Sequence, residues 1–316
     1  YEICACLVGS EMCIRDREGI AKVAIDGNTA VVVEVNSETD FVAKNAIFQE
    51  FVQAVADKAL TVDTEKAGDG EDVVSILDMK ADLDDKILKI GEKISIRRFE
   101  KVTADVVASY IHGGGRIGVL VAGNGASDDA AKEALTNIAM QIAAMNPQYI
   151  SRDEISADEL AKMKEITIDS ALNDPFSLPK PVLSKLIEKA VAGVWSAEDV
   201  AIYEEKKSNM NFLPNFLSKE AKAQLAEIAC ADKEEISGNK IFSGLVEGRI
   251  SKQMKEICLL DQVYVKAEDG KQTVAAYLKS VNPALKIAKF VRFEVGEGME
   301  KKNEDFAAEV AKQMNV

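Results

Sequence analysis

The sequence predicts an α+β protein: two related subdomains, each a small antiparallel sheet backed by helices, with a long helical insertion in the second. Three observations carry this expectation. A hairpin, loop, helix and later strand occur in the same order twice. Residues 151–257 are almost wholly helical in pattern and hold four of the six prolines. With 316 residues, 47% of them hydrophobic and 29% charged, the chain has the composition of a folded globular protein and room for two or three domains.

The first copy starts at Glu18. Ile20 to Ile25 reads as a strand, Asp26-Gly27-Asn28 as a turn and Ala30 to Val35 as a second strand. Asp-Gly between apolar runs is a strong hairpin signal, and the β-branched run Val31-Val32-Val33 favours the pleated state. After the polar loop Asn36-Ser37-Glu38-Thr39, residues Asp40 to Leu60 read as one helix, with Phe48, Phe51, Val52 and Val55 on a single face. Ile94 to Glu100 reads as the closing strand.

The second copy repeats this grammar. Val106 to Tyr110 is a strand, Gly113-Gly114-Gly115 a turn, Ile117 to Val121 a strand and Gly123-Asn124-Gly125 a loop. A helix follows, with Ser127 as the expected N-cap and Asp128 and Asp129 favouring its positive end. Leu135, Ile138, Ala139 and Ile142 share its apolar face, and it stops before Pro147. Phe290 to Val295 closes this copy.

In the insertion, Pro175, Pro179, Pro181 and Pro214 punctuate short helices. Ser156, Ser196 and Ser218 can cap them, and Ser196-Ala197-Glu198-Asp199 reads as a variant capping box. Glu304 to Met314 reads as a short amphipathic helix with Phe306 and Val310 inward. The expected boundaries are 18–102 for the first subdomain, 103–165 with 256–300 for the second, 166–255 for the insertion and 301–316 for a C-terminal helical module. Residues 1–17 (YEICACLVGSEMCIRDR) differ abruptly in composition, lack an initiating Met and are read as a non-native segment. A frayed terminus is the other reading.

Composition narrows the chemistry. A net charge of −14 without a Lys/Arg block argues against nucleic acid and anionic membranes as partners. No apolar run approaches the 18 or so residues of a membrane span. Five cysteines with no C-x-x-C pair give no complete disulfide framework, which suits a reducing, cytoplasmic setting. A single histidine, His112, removes paired-histidine metal sites, and no metal or cofactor is expected. Phosphate-loop, nucleophile-elbow and zincin motifs are absent. The glycines at 113–115 are read as closing a hairpin, and Gly296-Glu297-Gly298 as a strand-to-helix turn.

Two features stay open on pattern alone. His112 is either a turn histidine or a general base, which would need a carboxylate beside it. In the segment EVNSETDFVAKN, Thr39 or Asp40 can simply cap the next helix while Phe41 packs as core or staple. Alternatively, a helix N-terminus presents an acid and an aromatic ring to a partner's pocket. The function classes left are a non-enzymatic binding factor, a plain helical interaction or chaperone-like protein, and a hydrolase using His112.

Five segments, in order, resemble the elongation factor Ts family of bacterial and organellar translation. They are EVNSETDFVAKN, SYIHGGGRIGVLV, IAMQIAAMNPQYISRDE, EGRISKQMKEICLLDQ and FVRFEVGEGMEKKNEDFAAEV. The match spans roughly residues 18–165 and 240–314. The resemblance implies a non-catalytic guanine-nucleotide exchange factor for the GTPase elongation factor Tu. It implies that Thr39, Asp40 and Phe41 enter the GTPase domain near the Mg²⁺ and phosphate site and displace the metal, so that GDP leaves. By the same resemblance, Ile90 (in KIGEKI) and His112 (in SYIH) are further partner contacts. The second subdomain is expected to touch another domain of the GTPase, and the C-terminal helix to return to the GTPase domain. The family's dimerisation hairpin lies in the insertion, here longer than in compact members, so a homodimer through it is an expectation. The family also begins with a small three-helix, ubiquitin-associated-like domain. Residues 1–17 stand where its end and linker belong, and the chain is expected to lack it.

Overall fold

The computed structural model describes residues 18–68, 71–210 and 212–299. The readings of residues 1–17 and of a helix at Glu304 to Met314 lie outside the described residues. In chain order the elements are β1 (Glu18–Asp26), β2 (Thr29–Ser37), α1 (Asp40–Ala43), α2 (Ala46–Thr61), β3 (Lys66–Ala67), α3 (Val73–Ile76), α4 (Lys80–Ile90), β4 (Ile94–Thr103), β5 (Val106–His112), β6 (Ile117–Asn124) and α5 (Asp129–Met145). There follow α6 (Ala157–Asn173), α7 (Lys180–Gly193), α8 (Ala197–Lys206), α9 (Lys219–Ala231), α10 (Lys233–Ser237), α11 (Lys240–Ile257), α12 (Val274–Val281) and β7 (Lys286–Glu294). The chain divides into two compact units, one of residues 18–150 with 263–299, the other Ser151–Gln262.

The first unit carries two antiparallel sheets, ordered β1-β2-β4-β3 and β5-β6-β7. Each contains the predicted hairpin plus a later strand added beside the hairpin's second strand, so the duplication read in the sequence is present in the topology. The α+β class holds. Strand β2 is buried along almost its whole length because both of its faces are covered. One face (Val31, Val33, Val35) packs with Phe48, Phe51, Val52 and Val55 of α2 and with Phe99 of β4. The opposite face (Ala30, Val32) joins Ala21 and Val102 against Val107, Leu120, Ala122, Val291 and Phe293 of the second sheet. On the second sheet, α5 lies against β5 and β6 and buries Leu135, Ile138, Ala139 and Ile142.

Several local expectations are corrected. The single helix expected from Asp40 to Leu60 is broken after Ala43. Asn45 takes an extended conformation and its Oδ1 accepts the Ile47 N–H at 2.8 Å, so a fresh cap starts α2. Asp128, not Ser127, caps α5, its carboxylate accepting the Ala131 N–H at 2.8 Å. Strand β6 runs through Gly123 and Asn124, where a loop was expected, because pairing with β7 resumes past a bulge as Gly123↔Ile287 and Asn124↔Lys286. Residues 61–93, for which the periodicity gave no element, contain β3, α3 and α4. In α4 the signal was present: Leu83, Ile87 and Ile90 recur at i, i+4 and i+7, and Gly91 follows as the stop.

The second unit is helical, α6 to α11, around Leu172, Leu183, Leu186, Ile187, Trp195, Leu213, Leu225, Phe242 and Val246. Ser156, Ser196 and Ser218 cap α6, α8 and α9 as expected. The reciprocal capping box forms at Ser156 and Glu159, where the Glu159 carboxylate accepts the Ser156 N–H at 2.9 Å. At Ser196 the Asp199 carboxylate accepts the Ser196 hydroxyl at 2.7 Å together with the Ser218 N–H and hydroxyl. Among the described residues no helix is long and apolar enough to cross a membrane, and no cluster of three His, Cys, Asp or Glu side chains is arranged to hold a metal ion.

Candidate functional site

The Thr39-Asp40-Phe41 segment is the one-turn helix α1 and its cap, set between the end of β2 and the start of α2. Thr39 is extended and its Oγ1 accepts the Val42 N–H at 3.4 Å. The Ser37 hydroxyl donates to the Thr39 carbonyl at 3.0 Å. Within this turn, Asp40 and Phe41 face outward and Val42 and Ala43 inward. Val42 is buried and Ala43 packs on the first core. Phe41 is 79% exposed, so it is neither core nor a staple.

Asp40 is exposed beside Phe41 and pairs with Lys44 at 2.8 Å, one helical turn on. The Lys44 ammonium holds the Asp40 carboxyl below the usual carboxylate range, and Asp40 in turn raises Lys44. At neutral pH the tip therefore presents a carboxylate and an uncovered aromatic ring side by side.

Ile90 and His112 stand differently. Ile90 ends α4 half-buried on the first core, and the next turn is tied to the tip. The Glu92 carboxylate accepts the Thr39 N–H at 3.2 Å and its hydroxyl at 2.8 and 3.1 Å. The structure thus brings Thr39, Asp40, Phe41 and the end of α4 together. His112 lies on the second sheet, exposed at the end of β5. Gly113, Gly114 and Gly115 follow it with φ of 61°, 67° and 104°, three successive left-handed residues that only glycine adopts readily, so the hairpin reading of that run holds. The His112 Nδ1 lies 3.2 Å from the Tyr110 hydroxyl, a phenol where a general base needs a carboxylate.

Two arrangements were not visible in the sequence. Glu92 lies 53 positions from Thr39, and no spacing rule joins them. The second is a buried carboxylate at Glu34, the first residue of the same motif. A bulge in the β2–β4 pairing, Glu34↔Arg98 followed by Val35↔Ile96, leaves Arg97 as an extra residue. Arg97 Nη1 and Arg98 Nε then both reach Glu34, at 3.0 and 2.6 Å.

The family model for elongation factor TS matches residues 38–297. Elongation factor Ts of Clostridioides difficile (strain 630) is 38% identical over 305 residues, spanning 94% of this chain and 80% of that protein. Elongation factor Ts of Limosilactobacillus reuteri (strain DSM 20016) is 34% identical over the same length and with the same coverage. On this coverage and identity the chain belongs to the elongation factor Ts family, whose members are nucleotide exchange factors for elongation factor Tu in translation elongation.

Proposed function

We propose that the chain binds elongation factor Tu·GDP and promotes GDP release by inserting the Asp40–Phe41 tip beside the partner's Mg²⁺ and phosphate site, after which GTP rebinds. The observation that carries this is the 79% exposure of Phe41 on a turn whose next residue, Val42, is buried. An exposed aromatic ring beside a residue anchored in the core is a good anchor for a partner's apolar pocket. The Asp40 carboxylate brought beside it competes for the cation, because Mg²⁺ prefers oxygen ligands in strict geometry. Loss of the metal weakens hold on the diphosphate. By linkage, factor and nucleotide then weaken each other's binding by the same factor.

Ile90 and His112 serve as further partner contacts in this reading. No bond is formed or broken in a substrate, so the chain acts without a cofactor and is not an enzyme in the usual sense. The working parts are 18–102, 103–165 with 256–300, the 166–255 insertion as a homodimer surface, and a C-terminal module at 301–316. The setting is the cytoplasm, with no part for nucleic acid or membrane.

The test is release of a fluorescent GDP analogue from elongation factor Tu. The chain should accelerate release and Phe41→Ala should weaken the acceleration. A well-folded chain that never changes the GDP off-rate would overturn the reading.

A further inference from the structure

We propose that Glu92 is the positioning residue of the tip: its carboxylate fixes the direction in which Asp40 and Phe41 leave the fold. This rests on the exchange reading above. Helix α1 has four residues, far too few to hold its own shape in water. Phe41 is exposed and has little packing to steady it. Its orientation must come from the groups that grip the turn.

On the N-terminal side that grip is Glu92. One carboxylate takes both donors of Thr39, the N–H at 3.2 Å and the hydroxyl at 2.8 and 3.1 Å. With its proton committed there, Thr39 Oγ1 turns a lone pair to the Val42 N–H at 3.4 Å. That cap is long, so the charge-assisted bonds to Glu92 are the stronger part of the hold.

Glu92 is itself well placed to act as a fixed post. Gly91 ends α4 in the left-handed region at φ 82°, its N–H bonded to the Ile87 carbonyl at 2.8 Å. Ile94 opens β4 and is buried in the same core that Ile90 packs against. Glu92 therefore sits on a short turn held at both ends. The same turn carries Ile90, so one post fixes the tip relative to a second proposed contact.

The experiment uses the full chain and elongation factor Tu loaded with a fluorescent GDP analogue. The maximal release rate and the half-saturating concentration are measured for Glu92→Ala and Glu92→Gln, each alone and with Phe41→Ala. Amide exchange at Thr39 and Val42 is followed by NMR in the free chain. Glu92→Ala should lower the maximal rate about tenfold, as expected for losing a charge-assisted hydrogen bond. Glu92→Gln should recover most of the rate, because its carboxamide oxygen still accepts from Thr39. In the Phe41→Ala background Glu92→Ala should cost much less than in the parent, because only Asp40 is then left to misplace.

The Thr39 and Val42 amides should exchange about tenfold faster in Glu92→Ala, with Phe51 and Val55 unchanged. A full rate in Glu92→Ala, an equal loss with and without Phe41, or unchanged protection at Thr39 and Val42 would each overturn the proposal. If Phe41→Ala leaves release unaltered, the exchange reading fails, and amide protection alone then decides whether Glu92 tethers the tip.

Discussion

The Glu34 carboxylate accepts the backbone N–H of Gly296 at 2.8 Å, a contact between residues 262 positions apart. It joins β2 of the first sheet to the turn that follows β7 of the second. Glu34 is fully buried, and its other partners are Arg97 Nη1 at 3.0 Å, Arg98 Nε at 2.6 Å and Asn36 Nδ2 at 3.1 Å. The arginines continue the link: Arg98 lies over the Phe293 ring, 4.1 Å from its centroid, and Arg97 Nη2 donates to the Glu297 carbonyl. Such a buried carboxylate survives only because its lone pairs are filled.

Removing that carboxylate takes the buried counter-ion from two largely buried guanidinium groups, which keep only contacts to Glu294 and Glu297 and the Phe293 ring. Glu34→Ala should destabilise the two-sheet unit by roughly 3–5 kcal/mol, the usual cost of deleting one partner of a buried ion pair. Glu34→Gln should lose less, since the amide oxygen keeps part of the network. Native-state amide exchange at Val32 and Val33 reads the change. Unaltered protection in Glu34→Ala would show that the apolar contacts between the sheets suffice without it.

Two phenylalanines seven positions apart should behave oppositely. Phe48 is fully buried between α2 and the first sheet, whereas Phe41 is 79% exposed. Phe48→Ala should cost roughly 3–5 kcal/mol by leaving a cavity. Phe41→Ala should change stability by no more than about 0.5 kcal/mol, as for other surface substitutions. Thermal unfolding of both variants checks this. A large loss in Phe41→Ala would return that ring to a packing role.

What the sequence made legible follows the range of the interactions. The Asp26-Gly27 hairpin, the β-branched run Val31-Val32-Val33, the Phe48-Phe51-Val52-Val55 face and the caps Ser156, Ser196 and Ser218 are written in neighbouring residues, and the structure contains them. The break at Lys44-Asn45 was hidden because apolar spacing runs on through it from Phe41 to Phe48. Only the exposure of Phe41 separates core from tip, and exposure is a tertiary fact. Glu92 and Thr39 meet through a turn whose geometry depends on α4 packing first. The bulge at Arg97 shifts the alternation of β4 by one, from Ile94 and Ile96 to Phe99, but a broken period in one strand does not name the Glu34 that its two arginines meet. The motif EVNSETDFVAKN thus displayed its tip in sequence, but neither the distant partners of its own Glu34 nor the Glu92 carboxylate that bonds Thr39.

The two cysteines of the helical unit should differ in reactivity. Cys258 is buried and its burial pushes the thiol's pKa up, while Cys230 is exposed. The thiolate is the reactive form, so both access and ionisation protect Cys258. In brief alkylation of the native chain, peptide-resolved mass spectrometry should find Cys230 labelled and Cys258 unmodified until denaturant is added. Equal labelling of the two in native conditions would contradict the burial of Cys258.

Asp199 should make the helical unit acid-sensitive. Its Oδ1 accepts the Ser218 N–H at 2.9 Å, and its Oδ2 accepts the Ser196 and Ser218 hydroxyls at 2.7 and 2.9 Å. Ser196 caps α8 and Ser218 caps α9, so one buried carboxylate holds the starts of two helices. The Ser218 N–H bond lowers its pKa from the ordinary 3.8; burial opposes this, and the two hydroxyls reinforce it. A depressed folded-state value means that the stabilisation is fully present above the unfolded value and disappears as pH falls through the folded one. Asp199→Asn should cost roughly 1–3 kcal/mol near neutrality, from a buried network left partly unmet. It should also flatten the acid limb of the stability profile below about pH 4. Trp195 is the chain's one tryptophan; its indole N–H is buried on the Ala221 carbonyl at 2.9 Å in this same unit, so its fluorescence reports urea unfolding there. Urea midpoints that fall equally steeply with acid in parent and variant would place the sensitivity elsewhere.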